Sequence, residues 1–129
     1  SIATMKAAIN TPDAPRPSAP LSQAIVQDGF IFVSGQGAIN PRTGAYEKGT
    51  IAAETTRVLQ NISAILAAAG SSLGAVVKVN VYLRDINDFA AMNEVYSTYF
   101  TAPYPARTTI QAGALPRGFA VEIDCIARQ

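Results

Sequence analysis

Ile51-Ala52-Ala53-Glu54-Thr55-Thr56-Arg57-Val58-Leu59-Gln60-Asn61-Ile62-Ser63-Ala64-Ile65-Leu66-Ala67-Ala68-Ala69-Gly70 is followed, a few residues on, by Val76-Val77-Lys78-Val79-Asn80-Val81-Tyr82-Leu83. The two stretches have different periods. In the first, Ile51, Thr55, Val58, Leu59, Ile62, Ile65, Leu66 and Ala69 recur at three- and four-residue steps, which predicts a helix with one apolar face. Thr50 suits its N-cap and Gly70 its C′ position, while Glu54 and Arg57 are expected to pair on the outer face. The second stretch alternates, with Val77, Val79, Val81 and Leu83 on one side and Lys78, Asn80 and Tyr82 on the other, which predicts a strand.

The pattern extends in both directions. A second helix is expected from Asp85 or Asn87 to about Phe100, with Phe89, Met92, Tyr96 and Tyr99 on its core stripe, ended by Pro103 and Pro105. Strands follow at Ala106 to Gln111 and Phe119 to Ala127, joined through Gly113, Pro116 and Gly118. Upstream, Gln23 to Gln27 and Phe30 to Gly35 flank the turn dipeptide Asp28-Gly29. Residues 11–20 carry four prolines and predict an extended surface path, preceded by a short strand near Met5 to Ile9. The order β-β-β-α-β-α-β-β argues for an α+β fold, with two helices on one face of a sheet of about six strands.

Length and composition bound the function. The 129 residues favour one domain over 1–129. An apolar fraction of 49% against 15% charged residues leaves apolar surface that a homo-oligomer would cover. The net charge is +1, and no basic run exceeds a single residue, so nucleic acid is not an expected partner. Polar residues interrupt every apolar run before ~18 residues, so no membrane span is expected. The chain has no charged-then-apolar start that argues for export, and its single cysteine, Cys125, fits a reducing cytoplasm.

Histidine is absent. This excludes a Ser-His or Cys-His dyad and an imidazole metal site, and the scattered carboxylates show no metal-ligand spacing. The chemistry is left to Glu, Asp, Arg, Lys, Tyr, backbone groups or water. On the last strand Phe119, Val121, Ile123, Cys125 and Ala127 share the apolar face, which puts Glu122 on the other with Ala120 and Asp124. A hairpin centred between Ala114 and Leu115 would set Arg107 opposite Glu122. The plain reading of that pair is a cross-strand ion pair. Cys125 reads as a buried inert thiol, Tyr96 and Tyr99 as packing, and Gly35 as a place of close backbone approach.

Pro105-Ala106-Arg107-Thr108-Thr109-Ile110, Gly113-Ala114-Leu115-Pro116 and Val121-Glu122-Ile123 resemble the C-terminal signature of the RidA/YjgF family. Val33-Ser34-Gly35-Gln36, Asn40-Pro41-Arg42-Thr43-Gly44, Ala67-Ala68-Ala69-Gly70, Asp85-Ile86-Asn87-Asp88-Phe89 and Asn93-Glu94-Val95-Tyr96 extend the resemblance over nearly the whole chain. It implies a chorismate-mutase-like α+β fold, a homotrimer with clefts between subunits, and deamination of 2-iminopropanoate-type imino and enamine acids without cofactor or metal. Arg107 is similar to the family arginine that grips the substrate carboxylate, and Glu122 to the glutamate that handles the attacking water. Gly35, Asn93 and the backbone of Thr109 match further pocket positions. At Ala19-Pro20-Leu21 the sequence departs from the family, many of whose deaminating members carry a tyrosine where Leu21 stands, which implies a bulkier or more apolar substrate tail. The rival readings are a module that binds a carboxylate metabolite without turning it over and, against the charge balance, an endoribonuclease.

Overall fold

The computed structural model describes residues 5–129, so the first four residues of the expected domain lie outside the described residues. Its strands are β1 (Ala7–Ile9), β2 (Ala24–Gln27), β3 (Phe30–Gln36), β4 (Val76–Leu83), β5 (Ala106–Gln111) and β6 (Val121–Arg128), and its helices α1 (Ile51–Ala68) and α2 (Phe89–Tyr99). The strands form one sheet in the order β1-β2-β3-β6-β4-β5. The α+β architecture and its element order are those expected from the sequence. Both helices pack on one face, over a core that includes Ile31, Leu59, Ile65, Leu66, Val79, Met92 and Ile123.

Local chemistry accounts for the elements. Thr50 caps α1 by accepting from the Ala53 N–H at 3.1 Å, and Gly70 stands at φ 77° just past its end. Asp28 at φ 54° and Gly29 at φ 80° give the two positive-φ positions that a tight β2–β3 hairpin requires. The proline-rich strap is pinned by buried Gln23, which donates to the carbonyls of Thr11, Ala14 and Pro15 and accepts from the Thr11 N–H.

Several expectations are corrected. Glu54 does not pair with Arg57 on the outside of α1. It is fully buried, accepting from the Tyr46 hydroxyl at 2.8 Å and from the N–H groups of Gly49 and Ala120. Ala120 accordingly lies inside, ahead of the strand, rather than on the outer face with Glu122. Register shifts between Val76 and Lys78, so Val76 takes the buried place expected for Val77, which turns outward. Phe89 is 42% exposed and not a core residue.

The largest correction concerns β5 and β6. They are not a hairpin, because β4 lies between them, antiparallel to β6 and parallel to β5. α2 makes the crossover that a parallel β4–β5 pair requires. Side-chain chemistry explains the placing. β6 buries Val121, Ile123, Cys125 and Ala127 and belongs inside the sheet, whereas Ala-Arg-Thr-Thr-Ile-Gln of β5 suits an edge.

Among the described residues, no helix covers the other face of the sheet. Phe32, 46% exposed, Val77 and Ile110 stand on or beside it without a covering layer. Among the described residues, no helix is long and apolar enough to cross a membrane.

Candidate active site

The predicted site residues fall into two groups on opposite faces of the sheet. Arg107 is level with Val79, and Val79 with Cys125, so Arg107 lies on the helix side. Glu122 is level with Tyr82 on the uncovered side. Two strand spacings, roughly 10 Å, and an offset of three residues, about 10 Å more, separate their positions in the sheet. Within one chain Arg107 and Glu122 form no ion pair, and their side chains do not converge.

Around Arg107 the structure gathers Asn93, Tyr96, Ser97, Tyr104 and Pro105 about a cavity of about 330 Å³. The guanidinium carbon is 4.7 Å from the centre of the Tyr96 ring and 5.5 Å from that of Phe89. Among the described residues no carboxylate pairs with it. Asn93 Oδ1 and Thr109 Oγ1 are buried without a hydrogen-bond partner, unused capacity of the kind a ligand satisfies. The N–H of Ala112 donates to the Leu83 carbonyl. By strand alternation the peptide groups of Arg107 and Thr109 then face the unpaired edge of β5.

Tyr96 was expected to be packing alone. It is buried, but it also forms one wall of this cavity. Its phenol is pushed up by burial, while Arg107 beside it pulls the other way. Its seven-residue spacing from Phe89 was the signal available in the sequence.

Around Glu122 the structure places Gly35. The β3–β6 register passes from Val33 opposite Cys125 to Gln36 opposite Ile123, so Ser34 and Gly35 together oppose one residue, Asp124. This bulge directs Gly35 at the carboxylate, and a β-carbon there would collide with Oε2 of Glu122 and stand 3.0 Å from its Cδ. Leu21 is exposed, on a segment tied to this bulge: Ser34 donates through Oγ to the Ser22 carbonyl and through N–H to that of Gln23. Burial, and then the charge of Asp124, raise the Glu122 carboxyl above its ordinary value. Asp124 is held by Asn80 at 2.8 Å.

Sequence reasoning missed Tyr46 and the buried role of Glu54. The Tyr46 ring packs edge-on against Phe119, whose own ring occupies the space a β-carbon on Gly37 would take. Glu54 thereby ties the exit of β3 and the entry of β6, the two strands that carry Gly35 and Glu122. Cys125 is buried and pushed up to about 12 by desolvation, which fits an inert thiol. Among the described residues no group of three or more His, Cys, Asp or Glu could hold a metal ion.

A six-stranded sheet with two helices on one face and an arginine pocket at its edge defines a YjgF-like α+β protein. The solved structure of RidA from an Antarctic Psychrobacter superposes with a TM-score of 0.92 at 41% identity, covering 95% of this chain and 99% of that one. That of TdcF from E. coli with bound serine gives 0.90 at 36%, covering 95% and 98%. Residues 11–129 match the family described as Endoribonuclease L-PSP, and the chain belongs to this family, the one that includes the RutC and RidA proteins. A RutC family protein of Pyrococcus horikoshii is 51% identical over 95% of this chain and 98% of its own. The human protein named 2-iminobutanoate/2-iminopropanoate deaminase is 43% identical over 94% and 88%.

Proposed function

We propose that this protein hydrolyses 2-imino acids and their enamine tautomers, of the 2-iminopropanoate and 2-iminobutanoate type, to 2-oxo acids and ammonia. The observation that carries this reading is Arg107, a guanidinium beside a cavity with no carboxylate among the described residues paired with it. Its planar fork suits a substrate carboxylate bidentately, a contact worth roughly 1.5–3 kcal/mol. The name carried by the human relative agrees with it.

The site is built between two copies. Because Arg107 and Glu122 face opposite sides of one sheet, they meet a common substrate only if Arg107 comes from one copy and Glu122 from the next. The uncovered sheet face, with Phe32 and Ile110, supplies the surface for a homotrimer. Arg107 and Asn93 of one copy, with the edge peptide of Thr109, hold the substrate. Gly35, Leu21 and Glu122 of the neighbour complete the cleft.

Within that cleft a water oxygen bonds to the imine carbon and the C=N electron pair moves to nitrogen. Glu122 takes a proton from the water and returns it to nitrogen, a relay typically worth ~10²–10⁴-fold. The carbinolamine hydroxyl then gives up its proton, which Glu122 passes to nitrogen as the C–N bond breaks and the C–O bond becomes C=O, leaving the 2-oxo acid and ammonia. One water is consumed, and every proton stays on substrate, water or Glu122, so the step calls for no cofactor. The lone buried thiol suits a cytoplasmic setting.

Leu21 favours a second reading, in which the cleft binds a carboxylate metabolite without turning it over. Generating imines from several amino acids with an amino-acid oxidase, and following imine decay and ammonia, tests both. Ammonia release faster than the uncatalysed rate supports the deaminase, and binding without release supports the module.

A further inference from the structure

Phe89 and Tyr96 lie seven residues apart on α2, two helical turns, so both rings rise from one stripe of the helix. Two turns climb about 10.5 Å. The Arg107 guanidinium carbon stands 5.5 Å from one ring centre and 4.7 Å from the other. Those distances match a guanidinium filling the interval between the rings. Asn93 falls within the same interval, four residues after Phe89 and three before Tyr96. The lower ring is fixed, because Tyr96 is buried and stacks on Phe100 with centres 4.4 Å apart. The upper ring is half-exposed, a position that core packing does not explain.

Arginine loses much rotamer freedom when it is held in one place, and an orienting carboxylate on the same chain normally does the holding. Arg107 has none. We infer that Phe89 and Tyr96 are positioning residues, an aromatic clamp on the two faces of the Arg107 guanidinium that leaves its N–H edge free for the substrate carboxylate. This rests on the reading that Arg107 takes that carboxylate, and it adds how the fork is kept ready without being neutralised. A carboxylate partner would have competed with the substrate, whereas an aromatic ring attracts the cation by its face, and the Tyr96 hydroxyl beside Arg107 engages at most one of its five N–H donors. The clamp also accounts for an apolar side chain at the exposed position 89.

Such a device acts on binding. Preorganising the fork lowers KM and leaves the proton relay at Glu122 untouched, so its loss raises KM with kcat little changed. If the rings were only packing, their loss would lower stability and leave KM alone.

The test compares Phe89→Leu, Tyr96→Leu, Tyr96→Phe and Arg107→Ala in the full chain, with 2-iminobutanoate generated in situ at graded concentrations. The Nε–H resonance of Arg107 is followed in 15N-labelled protein. Phe89→Leu is expected to raise KM about two- to fivefold, a loss of the size of one exposed cation–π contact, with kcat within about twofold. Tyr96→Leu does the same or more, and Tyr96→Phe, which keeps the ring and removes the hydroxyl beside Arg107, raises KM less than Tyr96→Leu does. In both leucine variants the Arg107 resonance moves from its ring-shifted position toward that of a solvent-exposed arginine. Phe89 is exposed, so its variant keeps the test valid if Tyr96→Leu does not fold. A folded Phe89→Leu protein with wild-type KM and an unmoved Arg107 resonance overturns the clamp. If Arg107→Ala has lost activity in that case, the deaminase reading stands and only the clamp falls. Wild-type turnover by Arg107→Ala removes both.

Discussion

Gly35 approaches Glu122 so closely that the carboxylate occupies the place a β-carbon on Gly35 would take. The bulge at Ser34 and Gly35 produces this contact, and it fixes the carboxylate on the uncovered face of the sheet. Gly35→Ala should therefore displace Glu122 at little cost in stability, because Gly35 is exposed and the atoms a β-carbon would meet belong to the far end of one flexible side chain. Turnover is expected to fall by more than the loss of folded protein explains. Thermal midpoint and imine hydrolysis on one preparation give the comparison, and unchanged turnover per folded molecule would remove Glu122 placement as the role of Gly35.

Glu122→Gln keeps the shape and removes the titrating group. If the carboxylate relays the proton, the rate falls ~10²–10⁴-fold with substrate binding largely kept. The raised carboxyl also predicts a sign for stability. The folded state holds that proton more tightly than the unfolded chain, so stability declines as pH rises from the ordinary carboxylate value of 4.5 through the raised one. Above that window Glu122 carries a desolvation cost that glutamine lacks. The variant should thus be at least as stable as wild type near pH 7, with a flatter profile through the acid range. A variant less stable at pH 7 than at pH 4, relative to wild type, would contradict the raised carboxyl.

Leu21 stands exposed on the segment bound to the Gly35 bulge. Leu21→Tyr brings a hydroxyl and reduces apolar room on that side of the cleft, so relative turnover should shift toward imines with small side chains. Rate ratios across the imines from alanine, leucine and methionine measure it, and constant ratios would show that position 21 does not line the site.

The elements were readable because their periods are local: the α1 stripe, the Asp28-Gly29 turn and the alternation of β6 each depend on residues a few positions apart. The pairing of β5 was not. Two strands joined by a glycine- and proline-rich loop look like a hairpin, and only the poverty of apolar residues in Ala106–Gln111 hinted at an edge strand on the far side of β4. That pairing decides on which face Arg107 lies. The resemblance brought Arg107, Glu122, Gly35, Asn93, Thr109 and Leu21 to attention, and the structure divides them into two half-sites. Glu54 was placed on the outer face because a charged residue on a helix is normally solvated, and its true partners Tyr46, Gly49 and Ala120 come from other segments.

That division gives the most direct prediction. Arg107→Ala and Glu122→Gln should each be nearly inactive as pure proteins. If each cleft draws Arg107 from one copy and Glu122 from the next, co-refolding the two variants in equal amounts creates some clefts with both native residues. The chance that the Arg107 half comes from a Glu122→Gln copy is one half, and so is the chance that the Glu122 half comes from an Arg107→Ala copy. About a quarter of wild-type activity should therefore return, whatever the size of the closed ring. Light scattering on the same samples should give a trimer, and Phe32→Asp, which puts a charge on the uncovered face, should yield monomers without activity. A site complete within one chain predicts no rescue on mixing, because every copy would carry one defect. Absence of rescue in a mixture shown by mass spectrometry to contain hybrid trimers would end the shared-cleft proposal.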